Sequence, residues 1–135
     1  MKELVFQPIA GRTEEIIDTI LQQEEIESCT KIIYPIHLAC EEIIMNIVSY
    51  AYPDDVEGYV KIQIESDDKA ITISFIDSGV AFDPLAKEMP DTSIPLEDRD
   101  IGGLGIFLTQ QTMDDVTYQR VDDKNILTIK KQKVQ

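Results

Sequence analysis

Apolar residues recur along this chain with two periods, and the switches between the periods mark out its elements. Leu4-Val5-Phe6 reads as a short opening strand. From Thr13 the period is helical: Ile16, Ile17, Ile20 and Leu21 form one stripe, Glu14 and Glu15 fall in the first turn where the helix dipole favours them, and Thr13 is the expected cap. A second helix is predicted to begin near Pro35, a residue suited to a first turn. Ile36, Ala39, Cys40, Ile43, Ile44, Ile47, Val48 and Ala51 then follow i, i+3, i+4 spacing until Pro53 and Asp54-Asp55. Strict alternation comes next. Val60, Ile62 and Ile64 alternate with polar neighbours, and after Ser66-Asp67-Asp68-Lys69 the pattern resumes at Ile71, Ile73 and Phe75, which predicts an antiparallel hairpin with one buried face. Residues 77–103 hold most of the turn-forming Gly, Pro and Asp and read as loop. A third helix is expected from Gly102, Gly103 and Gly105 to about Met113. A last hairpin pairs Val116–Val121 with Ile126–Lys130 across a turn at Asp122-Asp123-Lys124-Asn125.

The order β-α-α-β-β-loop-α-β-β gathers hairpins in one layer and helices in another. It predicts an α+β fold, a mostly antiparallel sheet covered on one face by about three helices, and lacks the strand–helix alternation of a doubly wound parallel sheet. A length of 135 residues suits one core, so a single domain over residues 1–135 is expected. Charge narrows the partners: 26 acidic against 12 basic residues give a net −14, which disfavours nucleic acid and anionic membranes and is compatible with a basic protein partner. There is no uninterrupted run of 18 apolar residues, and Met1-Lys2-Glu3-Leu4 does not open an apolar signal segment, so a cytoplasmic location is the expectation. Cys29 and Cys40 lack metal-ligand spacing and read as free buried thiols; His37, the single histidine, reads as packing or solvent-facing; Glu24, Glu25 and Glu27 read as a solvated helix end.

Three segments carry candidate chemistry. On the second helix Glu42 and Asn46, four apart, share a face with Leu38, Met45 and Ser49, a mixture that suits a cleft wall or an ordinary solvated face. Asp77-Ser78-Gly79-Val80-Ala81-Phe82-Asp83-Pro84 follows a strand: its first carboxylate can accept from an exocyclic amine such as that of adenine, and Gly79 would let a flat ring approach, although the same residues make common turns. In Ile101-Gly102-Gly103-Leu104-Gly105-Ile106, backbone N–H groups at a helix start can wrap phosphate oxygens, but without Gly-Lys-Ser/Thr this is no Walker A loop, and without a βαβ unit no dinucleotide fingerprint.

Taken together and in this order, the segments resemble the N, G1 and G2 boxes of the GHKL ATPase superfamily. Glu42-Ile-Ile-Met-Asn46, Asp77-Ser-Gly79-Val-Ala-Phe82-Asp83-Pro84 and Gly102-Gly-Leu-Gly-Ile-Phe-Leu108, continued through Met113–Tyr118 and Asn125–Lys130, look like the anti-sigma-factor serine kinases of the RsbW and SpoIIAB type. The resemblance implies a Bergerat-type two-layer α/β sandwich binding ATP and Mg²⁺, with a mobile lid over residues 85–101. By that likeness Asn46 supplies an oxygen to Mg²⁺ and Glu42 is the base on the attacking hydroxyl. Asp77 reads adenine, Gly79 lies at the ring, and Phe82 belongs to the same nucleotide-binding segment. Gly102, Gly103, Leu104 and Gly105 form the phosphate loop, and Arg99 is the lid's arginine for the γ-phosphate. The implied acceptor is a serine of a STAS-domain anti-anti-sigma protein, the competing partner a sigma factor, and the assembly a homodimer. This chain departs from the pattern at Tyr50, where relatives often carry histidine, at Asn125-Ile126, where others place Gly-Thr, and in the acidic lid. Two other readings stay open: a nucleotide-gated module that sequesters a partner without phosphorylating it, and a detached histidine-kinase catalytic domain.

Overall fold

A computed structural model describes residues 1–7, 9–53, 58–81, 83, 85 and 101–133. Its strands are β1 (Lys2–Phe6), β2 (Val60–Ser66), β3 (Ala70–Asp77), β4 (Asp115–Val121) and β5 (Lys124–Gln132); its helices are α1 (Thr13–Leu21), α2 (Glu24–Glu27), α3 (Ile33–Asn46) and α4 (Ile101–Thr112). The strands form one antiparallel sheet in the order β1-β2-β3-β5-β4. The predicted α+β architecture is the observed one.

Register shows why only one face is covered. Ile62 stands opposite Phe75 and Phe75 opposite Leu127, while Ile64, Ile73 and Ile129 make a second cross-strand row. All six are buried, and with Ile16, Ile20, Ile36, Ile43 and Ile44 from α1 and α3 they form the core. The other face carries Lys61, Gln63, Ser74 and Thr128, with the last two hydroxyls 3.0 Å apart, as expected of a sheet wet on one side.

The helical run Thr30–Ala51 comprises a 3₁₀ turn (Thr30–Ile32), α3 and a π-helical turn (Ile47–Ala51). By length and composition alone its 22 residues are apolar enough to cross a membrane. Much of that hydropathy comes from Ile36, Ala39, Cys40, Ile43, Ile44 and Ile47, all of them in the domain core. Pro35 sits in the first turn of α3, where its missing N–H costs nothing.

Four local expectations are corrected. Thr13 is already helical; Arg12 precedes the helix without a side-chain cap bond, and the first turn is instead braced by the Arg12 guanidinium on Glu15, with both contacts 2.8 Å. Glu24, Glu25 and Glu27 belong not to a helix end but to the separate turn α2, pinned by fully buried Ile26; Glu24 and Glu27 are exposed as expected, while Glu25 lies 3.5 Å from Lys2. The last hairpin turns on Asp122-Asp123 alone, both at positive φ (52° and 62°), the two-residue geometry that matches strand twist, so Lys124 and Asn125 belong to β5. Of the two thiols only Cys40 is buried; Cys29 is half-buried.

Candidate functional site

The last turns of α3 and the exit of β3 meet at one end of the sheet, and an apolar cleft opens between them. Ile43, Asn46, Ile47 and Ala51 line it from α3 and its π turn, Phe75 and Asp77 from β3, Tyr118 from β4, and Asn125 and Leu127 from β5. Water centres can occupy about 40 Å³ of it, room for a few waters, within about 410 Å³ of empty space counted out to solvent. A π turn is uncommon and recurs at functional positions. Here it lies directly after Asn46 and ends at Ala51, two residues of the cleft wall.

Helical spacing brings Glu42 and Asn46 together as expected: Asn46 Nδ2 donates to Glu42 Oε1 at 3.2 Å. That bond engages the amide nitrogen and so leaves Asn46 Oδ1 as an acceptor, the hard oxygen that Mg²⁺ favours. Among the described residues no group of three or more His, Cys, Asp or Glu converges as a ready-made metal cage. One protein oxygen beside phosphate oxygens and waters is the usual way Mg²⁺ is held in nucleotide sites, so these residues fit that cation.

Asp77 is 3% exposed, at the inward-facing end of β3. Its Oδ1 accepts from Asn125 Nδ2 and from Gly79 N–H, each at 2.9 Å, and among the described residues Oδ2 accepts nothing. Burial pushes this carboxyl above its ordinary range, opposed by those two hydrogen bonds and by the charge of Arg120. A buried acceptor facing an apolar slot fits a planar ligand edge that carries an N–H donor.

The loop after Asp77 is pinned from both sides. From the helix side, Tyr52 Oη accepts Ser78 N–H at 2.9 Å while donating to Tyr59 O at 2.8 Å, and Ala51 O accepts Val80 N–H at 2.7 Å. From the hairpin side, Arg120 donates to Gly79 O and Asn125 Nδ2 to Val80 O, both at 2.9 Å. Gly79 does not sit at positive φ; a Cβ there would collide with the Ala51 carbonyl. The close approach that this glycine permits in the structure is that of the π turn's end at Ala51.

Gly102, Gly103, Leu104 and Gly105 form, by their backbone, the first turn of α4, which packs beside α3. Phe82, Pro84 and residues 86–100, with Arg99, lie outside the described residues. Tyr50 is exposed. No motif in the sequence marks Tyr52, Tyr118 or Arg120 as site residues, and Asn125 stands out there only as a departure from the family pattern. Asn125 alternates in phase with Leu127 and Ile129, and that phase marks it as facing inward.

The model of a family described as "Histidine kinase-like ATPase domain" matches residues 12–131. The chain is 28% identical over 96 residues to the serine/threonine-protein kinase BtrW of Bordetella bronchiseptica, covering 71% of this chain and 68% of that protein. It is 27% identical over 96 residues to the anti-sigma F factor of Clostridium novyi, covering 71% and 67%. With the serine-protein kinase RsbW of Bacillus cereus it shares 33% identity over 97 residues, covering 69% of this chain and 60% of that one.

Proposed function

Because the chain belongs to the histidine kinase-like ATPase domain family, we propose that it is an ATP- and Mg²⁺-dependent protein-serine kinase that doubles as an anti-sigma factor. Its acceptor is a serine on a STAS-domain anti-anti-sigma protein; its second partner is a sigma factor held inactive; it works as a homodimer in the cytoplasm. The observation that carries the nucleotide part of this reading is one cleft lined by both Asn46 and Asp77, residues 31 positions apart whose separate chemistries suit a metal–phosphate end and a base end.

ATP supplies the phosphoryl group and Mg²⁺ neutralises charge on its oxygens. The protein's own parts position and deprotonate. Asp77 Oδ2 accepts from an amine at the base edge while Ile43, Phe75 and Leu127 exclude water around the ring. Asn46 Oδ1 offers the metal a hard ligand, its orientation set by Glu42. Backbone N–H groups of Gly102 and Gly103, in the first turn of a twelve-residue helix, meet phosphate oxygens with the helix dipole behind them, whereas the Gly105 N–H falls inside the helical ladder. Glu42, one helical turn before Asn46, takes the proton of the incoming serine hydroxyl.

Calorimetry with ATP, with and without Mg²⁺, tests the nucleotide part: the expected result is saturable heat that weakens when the cation is chelated. Incubation with labelled ATP and STAS-domain proteins from the same cell tests the transfer, with label expected on serine. No heat with ATP and Mg²⁺ would end the reading altogether; binding without transfer to any such protein would leave a nucleotide-gated binding module.

A further inference from the structure

We propose that Asn125, anchored by Tyr118, is a positioning residue that fixes which oxygen of Asp77 faces the cleft and thereby which nucleobase edge the cleft accepts. The base-edge part rests on the nucleotide reading above; the positioning part does not.

Asn125 stands directly opposite Asp77 in the β3–β5 register, so the two side chains meet across the ladder at the mouth of the cleft. The amide orientation follows from its partners. On one side lie Asp77 Oδ1 and the Val80 carbonyl, each 2.9 Å away and each able only to accept when the carboxyl is ionised, so the nitrogen belongs there. On the other side the Tyr118 hydroxyl donates to Oδ1 at 2.5 Å. Both amide N–H bonds are thus directed at protein acceptors, and the hydroxyl that would otherwise let the amide turn over is committed to holding it.

Two consequences follow for a ligand. Asp77 is held with Oδ1 turned into the protein, where it takes the Asn125 amide and the Gly79 N–H, which leaves Oδ2 as the polar atom available toward the slot. Asn125, although it lines the cleft, directs its donors away from a base. The polar groups at this end of the slot therefore present acceptors, while Arg120 on β4, whose charge acts on Asp77, is engaged with the Gly79 carbonyl. An edge bearing an exocyclic amine donates directly to such an acceptor, whereas a 6-oxopurine sets its O6 against the carboxylate and must shift within the slot to offer its N1–H instead, which weakens its fit. The cleft accordingly prefers 6-aminopurine to 6-oxopurine nucleotides, and Asn125 maintains that preference through Asp77 rather than through the base.

The test compares ADP and IDP binding with Mg²⁺ by calorimetry on the wild-type chain, Asn125→Ala and Tyr118→Phe, alongside carbon-detected NMR titration of the Asp77 carboxyl in the ligand-free proteins. The wild type is expected to prefer ADP, and Asn125→Ala to shrink the ADP-to-IDP preference about tenfold, the scale of one lost hydrogen bond. In the same variant Asp77 is expected to titrate higher, because a bond to its charged form is gone. Tyr118→Phe should move both readouts the same way by less, and since it removes one half-buried hydroxyl it serves if Asn125→Ala does not fold. Equal weakening of both nucleotides, or an unmoved Asp77 titration, overturns the inference. Should the wild type bind neither nucleotide, the nucleotide reading and the choice of base edge fail, and the Asp77 titration alone then judges whether Asn125 positions the carboxyl.

Discussion

The carbonyl oxygen of Ala51 fills the space that a side chain on Gly79 would need, and the same oxygen accepts the N–H of Val80. The end of the π turn and the loop after β3 are thus in backbone contact, which couples the cleft wall that carries Asn46 to the one that carries Asp77. Gly79→Ala is expected to force the two apart. Overpacking of this kind costs about 1–3 kcal/mol, to be read as a lowered midpoint in urea with an unchanged slope. Nucleotide affinity should fall further than stability alone explains, because the Asp77 carboxylate moves with its loop. A variant as stable as the wild type would show that the contact yields easily.

Asp77→Asn separates the structural oxygen from the one left for a ligand. An asparagine oxygen can still accept from Asn125 and Gly79, while an NH₂ replaces Oδ2 and meets an exocyclic amine donor to donor. Nucleotide binding is expected to be lost with the fold intact. The sign of the pH effect follows from the raised folded-state pKa of this carboxyl. Folding favours its protonated form, so the contribution is fully present below the unfolded value near 4 and is lost as pH rises through the higher folded value. The variant, which has no charge to bury, should therefore match or exceed wild-type stability at pH 7 and lose that advantage as pH falls below about 4. Urea midpoints of both proteins across pH 3–7 check this, and a variant less stable than the wild type at pH 7 contradicts it.

Strands and long helices were legible in the sequence because their burial has a period. Val60, Ile62, Ile64 and Ile71, Ile73, Phe75 alternate and pair as read, and the stripe from Ile36 to Ala51 packs as read. Turns and caps were less legible, since they depend on dihedrals rather than on polarity. Asp122-Asp123-Lys124-Asn125 is polar throughout, and only positive φ at the first two residues separates the turn from the strand. That boundary obscures how Asn125 faces, since as a turn residue it would meet water and as a strand residue it faces Asp77. The reason for Gly79 was hidden as well, because it depends on a backbone 28 positions earlier in the chain.

The two cysteines should differ in reactivity. Burial on α3 pushes the Cys40 thiol up to about 12, whereas Cys29 is only half-buried. Since the thiolate is the reactive form, a maleimide at pH 7 should label one site in the folded protein and two after denaturation. Peptide mapping should place the first label on Cys29. Rapid labelling of Cys40 in the native state would mean that α3 opens readily, which its position in the core argues against. Saturating nucleotide should slow the second label further, because a ligand held by the folded state alone suppresses opening.

Glu42→Gln isolates the proposed base from its other duty. Glu42 Oε1 accepts the Asn46 amide at 3.2 Å, and a glutamine oxygen can keep that bond, so Asn46 should remain oriented toward the metal. What disappears is basicity. A positioned base contributes about 10²–10⁴-fold to such a transfer, so phosphorylation of the serine acceptor is expected to fall by that factor while the Kd for ATP with Mg²⁺ stays within a few-fold of wild type. Asn46→Ala should give the opposite split, with nucleotide affinity losing its dependence on Mg²⁺ and transfer falling as a result. If Glu42→Gln instead weakened Mg²⁺–ATP as much as Asn46→Ala does, the carboxylate would be acting on the metal end rather than on the hydroxyl. A transfer rate untouched by Glu42→Gln would remove it from the chemistry and leave it only as the residue that holds the Asn46 amide.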